Sequence, residues 1–97
     1  MLQFFIDMVN RVEGKQLKEN LFKIIELSKT VAEIKYAASN AVTILNAAQL
    51  PLSKQKWSGI RIPGANLCKS MLSGTDFSGA DLTGVNFSSA FLNNCNF

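Results

Sequence analysis

At 97 residues, 47% hydrophobic and 18% charged, the chain has room for one modest core shared by one or two small layers. A net charge of +3 does not by itself point to nucleic acid, and no apolar run approaches the length needed to cross a bilayer. With no histidine and only two cysteines, Cys68 and Cys95, neither a metal centre nor a disulfide framework is expected, and no cofactor.

The opening "MLQFFIDMVNRV" is apolar but lacks a basic leading region and a small-residue cleavage site, and it contains Asp7. It does not read as a secretory signal, so a cytoplasmic location with no membrane association is expected. Leu2, Phe5, Val9 and Val12 fall at helical spacing, with Gly14 as a stop. A second apolar stripe runs through Leu17, Leu21, Ile24, Ile25 and Ser28. Asp7–Arg11 and Glu19–Lys23 are acid-first pairs four residues apart, which support a helix. "TVAE", Thr30 to Glu33, has the form of a capping box, and a third helix follows to about residue 48 with Ile34, Ala38, Ala41, Val42, Leu45 and Ala48 on one face. Pro51 ends it.

The character of the chain changes there. Gly14 is the sole glycine before residue 51, whereas Gly59, Gly64, Gly74, Gly79 and Gly84 follow it. From Leu52 every fifth residue is large and apolar: Leu52, Trp57, Ile62, Leu67, Leu72, Phe77, Leu82, Phe87, Leu92 and Phe97. Two residues earlier runs a second column, Leu50, Gln55, Ile60, Ala65, Ser70, Thr75, Ala80, Val85, Ala90 and Cys95, small from Ala65 onward. Between the columns sit mostly polar residues, among them Asn66, Asp76, Asp81, Asn86 and Asn96. A five-residue period suits a short extended stretch that buries two side chains and then turns a corner, because an odd period in a plain strand would send alternate quintets to opposite faces. Repeated corners make a polygonal coil, and successive coils stack at about 4.8 Å.

The quintets "ANLCK", "ADLTG", "TDFSG" and "VNFSS" resemble the pentapeptide-repeat family. The resemblance implies a short right-handed, four-sided β-helix of twenty residues per coil; with the helices read from the first half, an α+β chain is expected in which about three N-terminal helices cap it. Residues 1–49 would be the helical cap and residues 50–97 the β-helix, about 2.4 coils, within one domain. Leu72 is then expected over Leu52, Phe77 over Trp57, Leu82 over Ile62 and Phe87 over Leu67. The stretch "AASNAVTILNAAQLPLSKQKWSGIRIPGANL" also resembles the helical lead-in to such repeats in large multidomain NACHT- or WD40-type signalling ATPases, although "EGKQLKEN" is no phosphate-binding loop. The early quintets, with Leu50, Gln55, Ile60 and Trp57, depart from the pattern and suit contact with the helices.

No catalytic arrangement is apparent: serines have no histidine base, and Asp76 and Asp81 fall on neighbouring outer sides. The expected function is a non-catalytic protein-interaction scaffold, either a free small protein or a segment of a longer one. Two alternatives are a topoisomerase-directed DNA mimic, which some members of the family are, and a weak nucleic-acid binder acting through Lys54, Lys56, Arg61 and Lys69. Against the mimic, the repeat half is net basic; against the binder, Lys56 and Arg61 fall under Asp76 and Asp81, placed for ion pairs. Leu92, Cys95 and Phe97 lie on the last coil, where pairing into a homodimer is expected. The narrow column makes Ala80→Leu an expected severe change and Ser78→Leu a mild one.

Overall fold

The structure is a computed structural model that describes residues 15–97. The helix expected over Leu2, Phe5, Val9 and Val12, the Asp7–Arg11 pair and the stop at Gly14 lie outside the described residues.

Helix α1 (Lys15–Leu27) buries Leu21 and Ile25, four residues apart, with Ser28 continuing the same line just past its end. Helix α2 (Lys35–Ala47) buries Ala38, Ala41, Val42 and Leu45, and packs against α1 through this small-residue face. Two details differ from the sequence-based expectation. The Thr30 hydroxyl donates back to the Leu27 carbonyl, so no capping box forms, and α2 is entered through a single 3-10 turn, Ala32–Ile34, with no side-chain cap. Among the described residues the one ion pair joins Lys29 to Glu26 at 2.9 Å; Glu19 and Lys23 stand apart. The C-terminus of α2 closes before Pro51: Gln49 takes a positive φ of 61°, its N–H donates to Asn46 O, and the Leu50 N–H donates to Leu45 O. This is a Schellman ending with glutamine where glycine is usual.

From Pro51 the chain winds in five-residue sides. Parallel bridges join Lys56 to Asp76, Arg61 to Asp81, Asn66 to Asn86, Met71 to Phe91 and Asp76 to Asn96, each pair twenty residues apart, so four sides complete one coil. Pairing takes the form of these isolated bridges, with no extended strand among the described residues. At every corner after the first the N–H of the residue after the turn donates back three residues, as Ile60 to Trp57 O, Ala65 to Ile62 O and Ala80 to Phe77 O, whereas at the first the Gln55 N–H donates to Thr75 Oγ1. The second corner residue has positive φ at every fifth position from Gln49 to Asn94, between 59° and 78°. That is the type II turn geometry, which explains why half of these positions are glycine. Pro63 occupies the first corner position, which proline's fixed φ favours.

The coils enclose a core continuous with that of the helices. Leu52, Trp57, Ile60, Ile62, Ala65, Leu67, Leu72 and Phe77 are buried together with Ile25, Val42 and Leu45. Aromatic rings stack up the interior: Trp57 lies 5.9 Å from Phe77, Phe77 stacks on Phe97 at 5.4 Å, and Phe87 meets Phe77 and Phe97 edge-on at 6.0 Å. The Thr75 hydroxyl donates to Leu52 O, and twenty residues on the Cys95 thiol lies 3.0 Å from Leu72 O in the corresponding place.

The lower edge of the first coil has no coil beneath it, and side chains from the helical half take that role. Ser28 Oγ accepts the Arg61 N–H at 3.0 Å and Thr43 Oγ1 accepts that of Asn66 at 3.0 Å. Lys29 Nζ donates to Lys56 O, Ser39 Oγ to Pro63 O, and Asn46 Nδ2 to the carbonyls of both Asn66 and Cys68. No buried side-chain nitrogen or oxygen among the described residues lacks a partner.

Burial falls along the coil. Leu82, Phe87 and Leu92 are half-buried, as are Ala80, Val85, Ala90 and Cys95, and Phe97 is 60% exposed although its ring is in the interior stack. Ala80 is therefore less confined than Ala65, which is 1% exposed beneath a full second coil. Two predictions follow from this packing. Ala65→Leu should lower stability by about 1–3 kcal/mol through overpacking and Ala80→Leu by less, read as urea midpoints. Ser28→Ala should cost about 1–3 kcal/mol, because it strands the Arg61 N–H away from water, whereas Ser58→Ala on the exposed corner should leave the midpoint unchanged.

Candidate interaction surface

The outward middle residue of each side decides what the coil shows to solvent. Where it is Asp or Asn, its side chain turns along its own strand and accepts the N–H two residues on. Asn66 caps Cys68 at 3.0 Å, Asp76 caps Ser78 at 2.9 Å, Asp81 caps Thr83 at 3.1 Å and Asn86 caps Ser88 at 2.9 Å. The Asp81 carboxylate also accepts the Thr83 hydroxyl at 2.7 Å. These bonds hold both carboxyls below the ordinary value of 3.8, Asp76 chiefly through the Ser78 backbone N–H and Asp81 chiefly through the Thr83 side chain.

The ladder ion pairs expected for Lys56–Asp76 and Arg61–Asp81 do not form, although each pair is bridged through its backbone. The aspartates are committed to their corners, and the Arg61 guanidinium donates to Ser28 O at 2.8 Å. Nor do the four basic residues make one patch. Lys54 and Lys56 line a shallow pocket together with Glu26, Arg61 is half-buried against the helices, and Lys54 and Lys69 sit at two different corners.

Those two corners flank the one side whose middle residues are apolar in every coil: Pro51, Met71 and Phe91. Met71 and Phe91 are bridge partners, 42% and 60% exposed. They border a cleft of about 500 Å³ that is also lined by Asn46 of α2, by Leu50 just after it, and by Cys68 and Lys69. Lys69 is the one charged residue lining it. Met71 and Phe91 are absent from the two apolar columns of the sequence; the signal that marks them is their twenty-residue spacing in the otherwise polar outer column. Trp57, by contrast, is 2% exposed and packs on Phe77, so it offers no aromatic surface.

Cys68 occupies a corner and Cys95 an interior position; both are free and half-buried. Among the described residues no three His, Cys, Asp or Glu side chains converge on a common point, and no helix is long and apolar enough to cross a membrane. Of the residues expected at the interface of the last coil, Leu92 and Cys95 are half-buried and Phe97 is exposed.

Residues 64–97 match the family model of pentapeptide repeats, described as eight copies, which supports the resemblance to that family over this part of the chain. No curated protein and no solved structure matches the chain. The second resemblance, to the lead-in of NACHT- or WD40-type proteins, gains no support from these comparisons.

Because Asp76 and Asp81 have lowered folded values, their contribution to stability is present above 3.8 and is lost as pH falls through those lowered values. The double substitution Asp76→Asn with Asp81→Asn keeps an oxygen acceptor, as Asn86 does, but removes the titration. Acid denaturation below 3.8 should therefore be shallower in the double variant than in the parent, and coincident curves would show that the corner bonds are not linked to protonation.

Proposed function

We propose that this chain is a non-catalytic protein-interaction scaffold, a cytoplasmic module in which helices and a right-handed four-sided β-helix form one domain. The observation that carries this reading is the outer column itself. On three sides it holds polar or charged residues, several of them spent on capping corners, whereas on the fourth Met71 and Phe91 give up that cap and stand exposed. A hydrogen-bonded coil holds such side chains at fixed positions before any partner arrives, which reduces the entropy lost on association. A DNA mimic would need a run of negative charge, but the repeat half has only Asp76 and Asp81 against four basic residues. Nucleic-acid binding is disfavoured by the scattering of those basic groups.

Affinity capture with the purified chain, beside the double substitution Met71→Asn with Phe91→Asn, tests the scaffold. A protein partner retained by the parent and lost by the variant is the expected result. Inhibition of gyrase supercoiling, or salt-sensitive retention of duplex DNA with no protein partner, would overturn it in favour of one of the two alternatives.

A second reading concerns the upper edge of residues 79–97, where the N–H groups of Leu82 and Phe87 and the carbonyls of Ala80 and Val85 have no backbone partner among the described residues. Further coils of a longer chain or a second copy of this one would answer them. We infer pairing of two copies through Leu92, Cys95 and Phe97 for the isolated chain; sedimentation as a monomer at high micromolar concentration would overturn it.

A further inference from the structure

We propose that the Met71–Phe91 side, with the adjoining cleft, binds a short segment of a partner protein in which an aromatic or aliphatic side chain lies next to a carboxylate. This rests on the scaffold reading and names the chemistry of its partner. Charge favours such a segment. Both acidic residues of the repeat half, Asp76 and Asp81, stand on other sides, whereas the corners on either side of Met71 carry Lys69 and Lys54. Lys69 lines the cleft, and no carboxylate of the described residues lines it; Lys54, which shares a shallow pocket with Glu26, lies beneath Gly74 at the opposite corner, where a Cβ on Gly74 would meet its Cγ at 3.3 Å. An apolar ledge with Lys69 beside it is complementary to an apolar segment carrying negative charge.

Rigidity and shape favour it as well. Lys69 donates its backbone N–H to Ser88 O at 2.8 Å, Met71 O accepts the Leu52 N–H at 2.9 Å and Phe91 O accepts the Leu72 N–H at 3.0 Å, so the corner and both apolar residues are tied into the stack. Methionine beside an aromatic ring is adaptable in its contacts while the backbone beneath it is fixed. The exposure of both side chains makes the site a ledge beside a cleft, which suits a peptide segment better than an enclosed small molecule. The amides of Gln49 and Asn66, which also line the cleft, are of the kind that pair with peptide backbone.

The substitution that tests this is compatible with the fold. Phe91→Asn installs at the third coil the residue found at Asn66 and Asn86, whose oxygen caps the N–H two residues on, so the variant should fold at least as well as the parent. The probe is a phage-displayed library of random peptides about twelve residues long, panned on the purified 97-residue chain, with the enriched sequence then synthesised and titrated by fluorescence anisotropy. The expected outcome is enrichment of an aromatic, Leu or Met next to Asp or Glu. Phe91→Asn should weaken binding of the synthetic peptide at least about tenfold, and Lys69→Glu at least about fivefold, while Lys69→Arg and Phe97→Asn leave it within about twofold. Failure to enrich any sequence, equal binding to Phe91→Asn, or indifference to replacing the acid by its amide would overturn the proposal. So would a parent that sediments as a dimer beside a monomeric Phe91→Asn, because a second copy would then occupy this side. If affinity capture finds a protein partner that is insensitive to Phe91→Asn, this inference falls and the scaffold stands; if the chain retains DNA and no protein, both fall.

Discussion

Everything above the helices depends on how the lower edge of the first coil is hydrogen-bonded. A coil stacked on another coil has its backbone groups paired by its neighbour, but the first one presents a row of N–H and C=O groups that cost free energy if buried without partners. Here Ser28, Lys29, Ser39, Thr43 and Asn46 supply hydroxyl, ammonium and amide groups to Lys56, Arg61, Pro63, Asn66 and Cys68. Side chains on α2 and on the segment after α1 thus imitate a preceding coil. Because Ile25 of α1 and Val42 and Leu45 of α2 belong to one core with Leu52, Ile60 and Ile62, the helical half closes both the polar edge and the apolar interior.

The second constraint is the corner. Five residues would reverse the facing of alternate sides unless each corner reset the direction, and a positive φ at every fifth residue does so. The outward middle position is then the one whose side chain the coil does not need inside. Asp76, Asp81, Asn66 and Asn86 use it to cap the corner that follows, a local gain that costs nothing elsewhere. Met71 and Phe91 forgo that gain and add exposed apolar surface, which the fold itself does not require. A local rule broken twice, twenty residues apart on one side, separates a surface kept for contact from one kept for the coil.

Much of the architecture was legible in the residues. The large column from Leu52 to Phe97 and the stripes of α1 and α2 are periodic, and periodicity reports on burial because the backbone repeats in space as it does along the chain. The surface was less legible. Asp76 and Asp81 are bridged to Lys56 and Arg61, as a twenty-residue coil demands, yet their carboxylates bond to Ser78 and Thr83: a nearby N–H at fixed geometry outcompetes a long, solvated cation. Thr30 likewise bonds backward to Leu27 in place of capping, because a 3-10 turn intervenes before α2.

What the sequence determined by itself is the coil: its five-residue period, the inward columns, and the glycines that let corners take a positive φ, all of them consequences of local geometry repeated. What only the tertiary structure decided is what happens at the ends and on the sides, where partners are far apart in sequence. Ser28 meets Arg61 across 33 residues, Asn46 meets Cys68 across 22, and Met71 lies under Phe91 beside α2. Ala65 is sealed while Ala80 is half-open, although the two occupy identical places in their quintets, because only the first has a complete coil above it. Burial and hydrogen bonding at such positions depend on which segment lies opposite, and that is a property of the stack and not of the quintet.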